Sequence, residues 1–305
     1  MKTVILSIFI SINCAYSFDW NIDSPQIELS RKSVRGKKLI KSYGLGRQFS
    51  FDKYQTLKRS IMKDDSKKIE WVLKNLNTGE VLDQHIIGGR VYYGASVAKI
   101  MTGLIYFQEH GTPTDNTLQS ILNMIVASDN KDWSRVQLAI GKGDSEQSKQ
   151  IMYNRTRKLG FRRSRWFRGY MRNGLHGNEL TVLENLYLLE NLYSNNFDFG
   201  HQVLKIMLCG QKGYDMAKKY LPSSVAIANK GGRYWGKTTN PYNGTRYNDD
   251  GTPYVTNVRH QVLILKDESI NSDDYALIIH TNEETEETLS LLAGGLFKEH
   301  IAVFK

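Results

Sequence analysis

Tyr93-Gly94-Ala95-Ser96-Val97-Ala98-Lys99-Ile100-Met101-Thr102-Gly103-Leu104-Ile105-Tyr106-Phe107 is the stretch where the chain changes period. Upstream, Ile69 to Leu73 alternates apolar and polar, Asn77-Thr78-Gly79 reads as a turn, and Val81 begins a second run, so a β-hairpin is predicted. From Ser96 onward, Val97, Ile100, Met101, Leu104, Ile105 and Phe107 recur at helical spacing up to Gly111. Leu118, Ile121, Leu122 and Ile125 predict a second helix. Thr181 and Glu184 form a capping box ahead of Val182, Leu186, Leu189 and Tyr193. Residues 96–220 are therefore read as helical. Strand patterns return at Val262-Leu263-Ile264-Leu265 and at Tyr275 to Thr281, and a helix from Thr285 to Ile301 closes the chain. Strands, helices, strands and a final helix point to an α+β fold: an antiparallel sheet built from both ends of the chain, flanked by helices, with an all-helical subdomain inserted.

The 305 residues, 40% hydrophobic and 24% charged, exclude a disordered tail, a collagen and a disulfide-stapled miniprotein. Lys2, the apolar Val4 to Ile12 and the small-x-small Ala15-Tyr16-Ser17 read as a secretory signal peptide, residues 1–17, so the protein is expected to be exported, periplasmic or secreted. No stretch is long enough to be a transmembrane helix. Cys14 leaves with such a leader, and Cys209 is left as a small buried apolar residue. Residues 18–50 are read as a basic extension. Between Ser30 and Lys41, Arg31, Lys32, Arg35, Lys37, Lys38 and Lys41 carry charge without an acid, either as a solvated arm or as a foot on an anionic wall polymer. The remaining division is a sheet subdomain, 51–95 with 221–305, and a helical subdomain, 96–220. Phe51, Tyr54, Leu57 and Ile61 predict a surface helix at its start.

Ser-x-x-Lys can put a hydroxyl and an amine on one helix face, where a neutral lysine would take the serine proton. Ser50/Lys53, Ser60/Lys63 and Ser96/Lys99 carry the pattern. The first two lie in polar, charged sequence where a lysine stays protonated. Ser96/Lys99 opens an apolar helix, where burial lowers a lysine pKa. Ser128-Asp129-Asn130 follows the second helix; alone it reads as a capped turn, or as a proton relay at Ser128 and an amide ligand at Asn130. Lys230-Gly231-Gly232 follows Val225-Ala226-Ile227-Ala228. It is either a strand-end turn or an edge strand that lets a ligand approach its backbone.

Taken together and in this order, the three motifs resemble the serine β-lactamase and penicillin-binding protein superfamily, its class A β-lactamase branch above all. The resemblance runs from about Ile69 to the C-terminus. It implies a nucleophile at Ser96, its base at Lys99, proton transfer through Ser128, a substrate amide on Asn130, and Lys230 near the substrate carboxylate. The oxyanion hole would lie beside Gly232, between the N–H groups of Ser96 and Arg233. Three departures stand out. Gly231 replaces the hydroxyl residue expected after the lysine, with Thr238, Thr239 or Arg233 as compensators. Tyr170, two residues beyond Arg168, stands where the branch carries the glutamate that activates water for deacylation. Only 28 residues separate Lys99 from Ser128, which implies a more open cleft.

The implied activity is a serine hydrolase acting on β-lactams with slow deacylation. The alternatives are a D-Ala-D-Ala carboxypeptidase or transpeptidase acting on peptidoglycan, and an impaired binding or sensor protein. Gly94-Ala95-Ser96-Val97-Ala98 also approximates a nucleophile elbow, but a long helical middle disfavours the repeated βαβ units that an elbow requires. The basic run Arg162-Arg163-x-Arg165-Trp166-x-Arg168 could bind polymer, yet a signal peptide makes nucleic acid an unexpected partner. No cofactor or metal is expected. The histidines at 85, 110, 176, 201, 260, 280 and 300 show no ligand spacing and read as isolated surface or core residues.

Overall fold

The computed structural model describes residues 18–20, 49–64, 66–88, 90–166, 178–209, 217–222, 224–237, 245–270 and 272–302. The leader, the basic segment 30–41, Arg168, Tyr170, Thr238 and Thr239 lie outside them.

Ser50 caps the first helix, α1 (Phe51–Met62), by accepting from the Lys53 N–H at 3.3 Å. Tyr54 and Ile61 of α1 are fully buried while Phe51 is exposed, so this amphipathic helix is half inside the protein. The hairpin β1 (Ile69–Asn75) and β2 (Val81–His85) follows, then a short β3 (Tyr92–Tyr93). Next come α2 (Lys99–His110), α3 (Asp115–Ile125), α4 (Asn130–Ile140) and α5 (Ser145–Lys158). A two-residue β4 (Glu179–Leu180) pairs with β3 and leads into α6 (Val182–Tyr193) and α7 (Gly200–Leu208). Long strands β5 (Ala226–Lys237), β6 (Val255–Lys266) and β7 (Asp274–Asn282) precede the final helix α8 (Glu286–His300), capped by Thr285.

The five-stranded antiparallel sheet has the order β2-β1-β7-β6-β5, so strands from both chain ends meet in the middle and β5 is an edge. The period of two splits its side chains between two cores. Val72, Ala228, Val262, Ile264, Ala276 and Ile278 face α2 to α7. Trp71, Leu73, Ile227, Leu263, Leu277 and Ile279 face α1 and α8. Residues 18–20 join the first core: Phe18 is buried edge-on to Trp20 and His201, and Asp19 pairs with Lys205 at 2.8 Å.

Two readings need correction. Lys230-Gly231-Gly232 is no strand end, because β5 runs five residues further, to Lys237, paired with β6 throughout. The Thr181/Glu184 box is only half formed. Thr181 Oγ1 accepts from the Glu184 N–H at 3.2 Å, but the Glu184 carboxylate turns away to accept the N–H groups of Arg162 (2.6 Å) and Arg163 (2.9 Å). Three backbone donors at 162–164 outcompete one helix-end N–H for that carboxylate.

Helix α8 lies against α1 because Gly295 leaves it flat there, while Gly294 packs on Tyr220; a methyl group on Gly295 would fall on ring carbons of Tyr54. Alanine in mid-helix ordinarily gains ~0.5–1 kcal/mol over glycine. Here the overlap dominates, so Gly295→Ala should destabilise the protein by ~1–3 kcal/mol. Urea unfolding followed by circular dichroism measures this, and an unchanged or raised midpoint would refute the packing account.

Candidate active site

Ser96 does not open an α-helix. It sits on a 3₁₀ turn, Ala95–Ala98, that runs directly into α2 at Lys99. With three residues per turn, positions i and i+3 eclipse, which stacks Ser96 over Lys99. The turn is entered through Ala95 at φ +43°, a conformation L-residues adopt at a cost.

Lys99 is fully buried, and its Nζ lies 3.1 Å from Ser96 Oγ. It donates to the Ser128 carbonyl and to Asn130 Oδ1, both at 2.7 Å, and sits 3.2 Å from Ser128 Oγ. The Trp133 ring lies 5.0 Å away. Burial, followed by the nearby Lys230 charge, lowers the Lys99 pKa to about 6. At neutral pH the amine is therefore largely uncharged. Its two N–H bonds satisfy the Ser128 carbonyl and Asn130, and its lone pair is left to accept the Ser96 hydroxyl proton.

Ser128-Asp129-Asn130 is both a capped turn and part of the site. Asp129 caps α4 by accepting the N–H groups of Lys131 (2.7 Å) and Asp132 (3.1 Å). That cap holds Ser128 at φ +57°, with its carbonyl and hydroxyl both toward Lys99. Asn130, the first residue of α4, is exposed, and its amide Nδ2 is the donor left for a ligand.

From the edge strand, buried Lys230 donates to Ser128 Oγ and to the Gly231 carbonyl, each at 3.0 Å. Burial lowers its pKa to about 7. Gly232 shares the Lys230 face of β5, and a Cβ there would lie 3.1 Å from Val97 Cγ2 and 3.4 Å from Ala95 Cβ. Glycine at 232 thus lets the strand close on the Ser96 turn. The structure brings Ser96, Lys99, Ser128, Asn130, Lys230 and Gly232 together.

It does not bring the Arg233 side chain to that group. The Arg233 guanidinium pairs with Glu286 at the start of α8, and Arg259, opposite Arg233 across the strands, lies 3.9 Å from the same carboxylate. Arg233 is thus no ready replacement for the hydroxyl missing at Gly231; only its backbone N–H remains as a contributor. The two nearby glutamates are also engaged. Glu184 holds backbone N–H groups, and Glu179 pairs with Arg165 at 3.2 Å. Among the described residues, no carboxylate hydrogen-bonds Ser96, Lys99, Ser128 or Lys230. Burial pushes the Cys209 thiol up to about 11, which removes it as a nucleophile.

Trp133 escaped the sequence reading, although its place three residues after Asn130 on one helix was a usable signal. Asp83, Glu299 and His300 are the one group among the described residues with metal-compatible donors. The Lys58 ammonium already bonds both carboxylates, at 2.5 and 2.6 Å, and supplies the positive charge there.

The Lys99 shift fixes a sign. The unfolded chain binds a proton at this lysine below pH 10.5, whereas the folded chain does so only below about 6. Stability contributed by the group is full above pH 10.5 and falls as pH drops toward 6. Lys99→Met removes that dependence. Its melting temperature relative to wild type should rise progressively from pH 10 to pH 6.5; a difference that stays flat across this range would contradict a neutral buried amine.

No protein-family model matches the sequence, and no curated protein does. Solved structures resemble the fold. The TLA-3 extended-spectrum β-lactamase matches at 13% identity and TM-score 0.55, over 82% of this chain and 99% of that one. A class A β-lactamase from Bacteroides cellulosilyticus matches at 14% identity and TM-score 0.53, over 84% and 98%. An ancestral class A β-lactamase (GNCA) matches at 11% identity and TM-score 0.57, over 81% and 99%. No helix among the described residues is long and apolar enough to cross a membrane. The chain therefore has the serine β-lactamase-like α+β fold, with its three motifs assembled where the helical layer meets the edge of the sheet.

Proposed function

We propose that the protein is an exported serine acyl-transfer enzyme of the β-lactamase-like type, which takes β-lactams as acyl donors on Ser96 and releases the acyl group slowly. The observation that carries this reading is the fully buried Lys99 amine, 3.1 Å from Ser96 Oγ and bonded on its other sides to neutral acceptors, a setting that lowers its pKa to about 6.

The chemistry follows from the contacts. Ser96 Oγ attacks the lactam carbonyl as its proton passes to Lys99 Nζ. The negative oxygen faces the N–H groups of Ser96 and Arg233; one such donor is typically worth ~10²–10³ in rate. As the C–N bond breaks, the departing nitrogen takes the proton of Ser128 Oγ, which both Lys99 and Lys230 can replace. Lys230 attracts the substrate carboxylate, and Asn130 Nδ2 meets the side-chain amide. An acyl-enzyme on Ser96 remains.

Water must then be activated, and general-base help is worth ~10²–10⁴ in rate. The engagement of Glu179 and Glu184 elsewhere supports a long-lived acyl-enzyme. The same observation favours a second reading, a D-Ala-D-Ala-directed enzyme of peptidoglycan that β-lactams trap as an adduct.

Intact mass spectrometry after incubation with a labelled penicillin tests the proposal. The expected result is a lasting adduct, localised to Ser96 by peptide mapping and absent from Ser96→Ala. Rapid turnover with a fleeting adduct would replace slow deacylation by efficient hydrolysis. No adduct and no turnover would overturn β-lactam acylation altogether.

A further inference from the structure

The strained turn that delivers Ser96 is tied down on two sides. On one, Tyr92 and Tyr93 pair with Leu180 and Glu179, and the Gly94 N–H donates to the Asn178 carbonyl at 2.6 Å. On the other, the sheet reaches up through one side chain. His260 of β6 is fully buried, and its Nε2–H donates to the carbonyl of Tyr93 at 2.8 Å. Its Nδ1 accepts the Thr281 N–H at 3.3 Å, so these partners fix the tautomer and satisfy both ring nitrogens. Burial holds its pKa near about 4, which keeps the ring neutral. Tyr92, edge-on with ring centroids 5.8 Å apart, and His280, at 4.4 Å, box the ring in.

The position of His260 in the register gives the bond its consequence. His260 lies directly opposite Gly232, the residue on which Ala95 and Val97 rest. The same imidazole thus belongs to the strand paired with one wall of the oxyanion site and grips the chain three residues ahead of the other. Ala95 at φ +43° cannot hold this turn by its own preference. We propose that His260 is a positioning residue: its bond to Tyr93 O locks the nucleophile turn onto β6 and sets the spacing between the Ser96 and Arg233 N–H groups, and so the rate of acylation. This inference rests on the Ser96 acyl-transfer reading.

Two substitutions separate the hydrogen bond from the packing. His260→Phe keeps a ring and removes the donor; His260→Gln loses the ring and keeps an N–H. His280→Phe serves as control, since His280 shares the same core but bonds Asn185 Nδ2, at 3.0 Å, and not the turn. The expected result with labelled penicillin is acylation at least about tenfold slower in His260→Phe, because displacements near 1 Å cost ~10²-fold. The saturating concentration should change less than the rate, His260→Gln should recover most of it, and His280→Phe should lose stability without a comparable loss of rate. A wild-type rate in His260→Phe, or an equal loss in His280→Phe, overturns the positioning role.

The same variants titrated with an arylboronic acid, which adds to a nucleophilic serine without being a β-lactam, distinguish the two levels of failure. If the wild type takes the boronate but no penicillin, the substrate reading fails and the positioning role is decided by boronate affinity, which must fall in His260→Phe and return in His260→Gln. A wild type that binds neither overturns both.

Discussion

Everything at this site depends on a lysine being buried beside acceptors that carry no charge. The chain holds its own contrast. Lys58 is also largely enclosed, and burial lowers its pKa, but its hydrogen bonds to Asp83 and Glu299 outweigh that and leave it raised. Lys99 has a carbonyl, an amide oxygen and two hydroxyls, with no carboxylate among its partners, and burial prevails. Polar neighbours in both cases satisfy the N–H groups; only the charge of the partner decides whether the nitrogen keeps its third proton. One carboxylate near Lys99 would restore the ammonium and remove the lone pair. Lys230 acts in the opposite direction, since its own charge penalises a second one close by.

That requirement shapes the fold around the site. Acceptors without charge have to come from backbone and amide groups, and these must be turned toward Lys99 by force of local structure. Asp129 does so at one remove: its carboxylate is spent on the N-terminus of α4, and the left-handed Ser128 that results presents its carbonyl to Nζ. The edge position of β5 does the rest. A central strand would have neighbours on both sides, whereas among the described residues β5 pairs with β6 alone and can approach the Ser96 turn, with Gly232 as the point of contact.

The sequence was informative wherever burial alone decides the chemistry. Of the Ser-x-x-Lys pairs at 50/53, 60/63 and 96/99, Ser50 turns out to be a helix cap and Ser60 donates to the Leu57 carbonyl while Lys67 bonds it. Ser96/Lys99 is the one with an apolar helix behind it, and hydropathy is what a pKa shift responds to. The hairpin, the closing helix and the antiparallel α+β plan were legible for the same reason, since a period is a record of which side is buried. What could not be read were choices made by distant partners. The 3₁₀ turn at Ala95–Ala98 depends on Gly232 arriving from more than a hundred positions away. Glu184 satisfied a local capping rule on paper and was claimed instead by the backbone N–H groups of residues 162–164. Arg233 looked available until Glu286 was placed next to it.

These tertiary choices bear unequally on the two halves of an acyl-transfer cycle. Forming the ester needs a nucleophile, a base and donors for the oxyanion, all supplied by short segments that the sheet edge and α2 hold rigidly. Breaking it needs a water beside a base that is still basic once Lys99 has taken and returned its proton. The carboxylates nearest in sequence to that duty are tied to structure: Glu184 by backbone donors that lower its pKa against the effect of burial, Glu179 by Arg165. A carboxylate stabilised as an anion by several N–H groups is a poor base as well as a badly placed one. Under the acyl-transfer function proposed for Ser96, the hydrogen bonds that complete the fold on this side therefore oppose fast deacylation and suit the chain better to being acylated than to turning over.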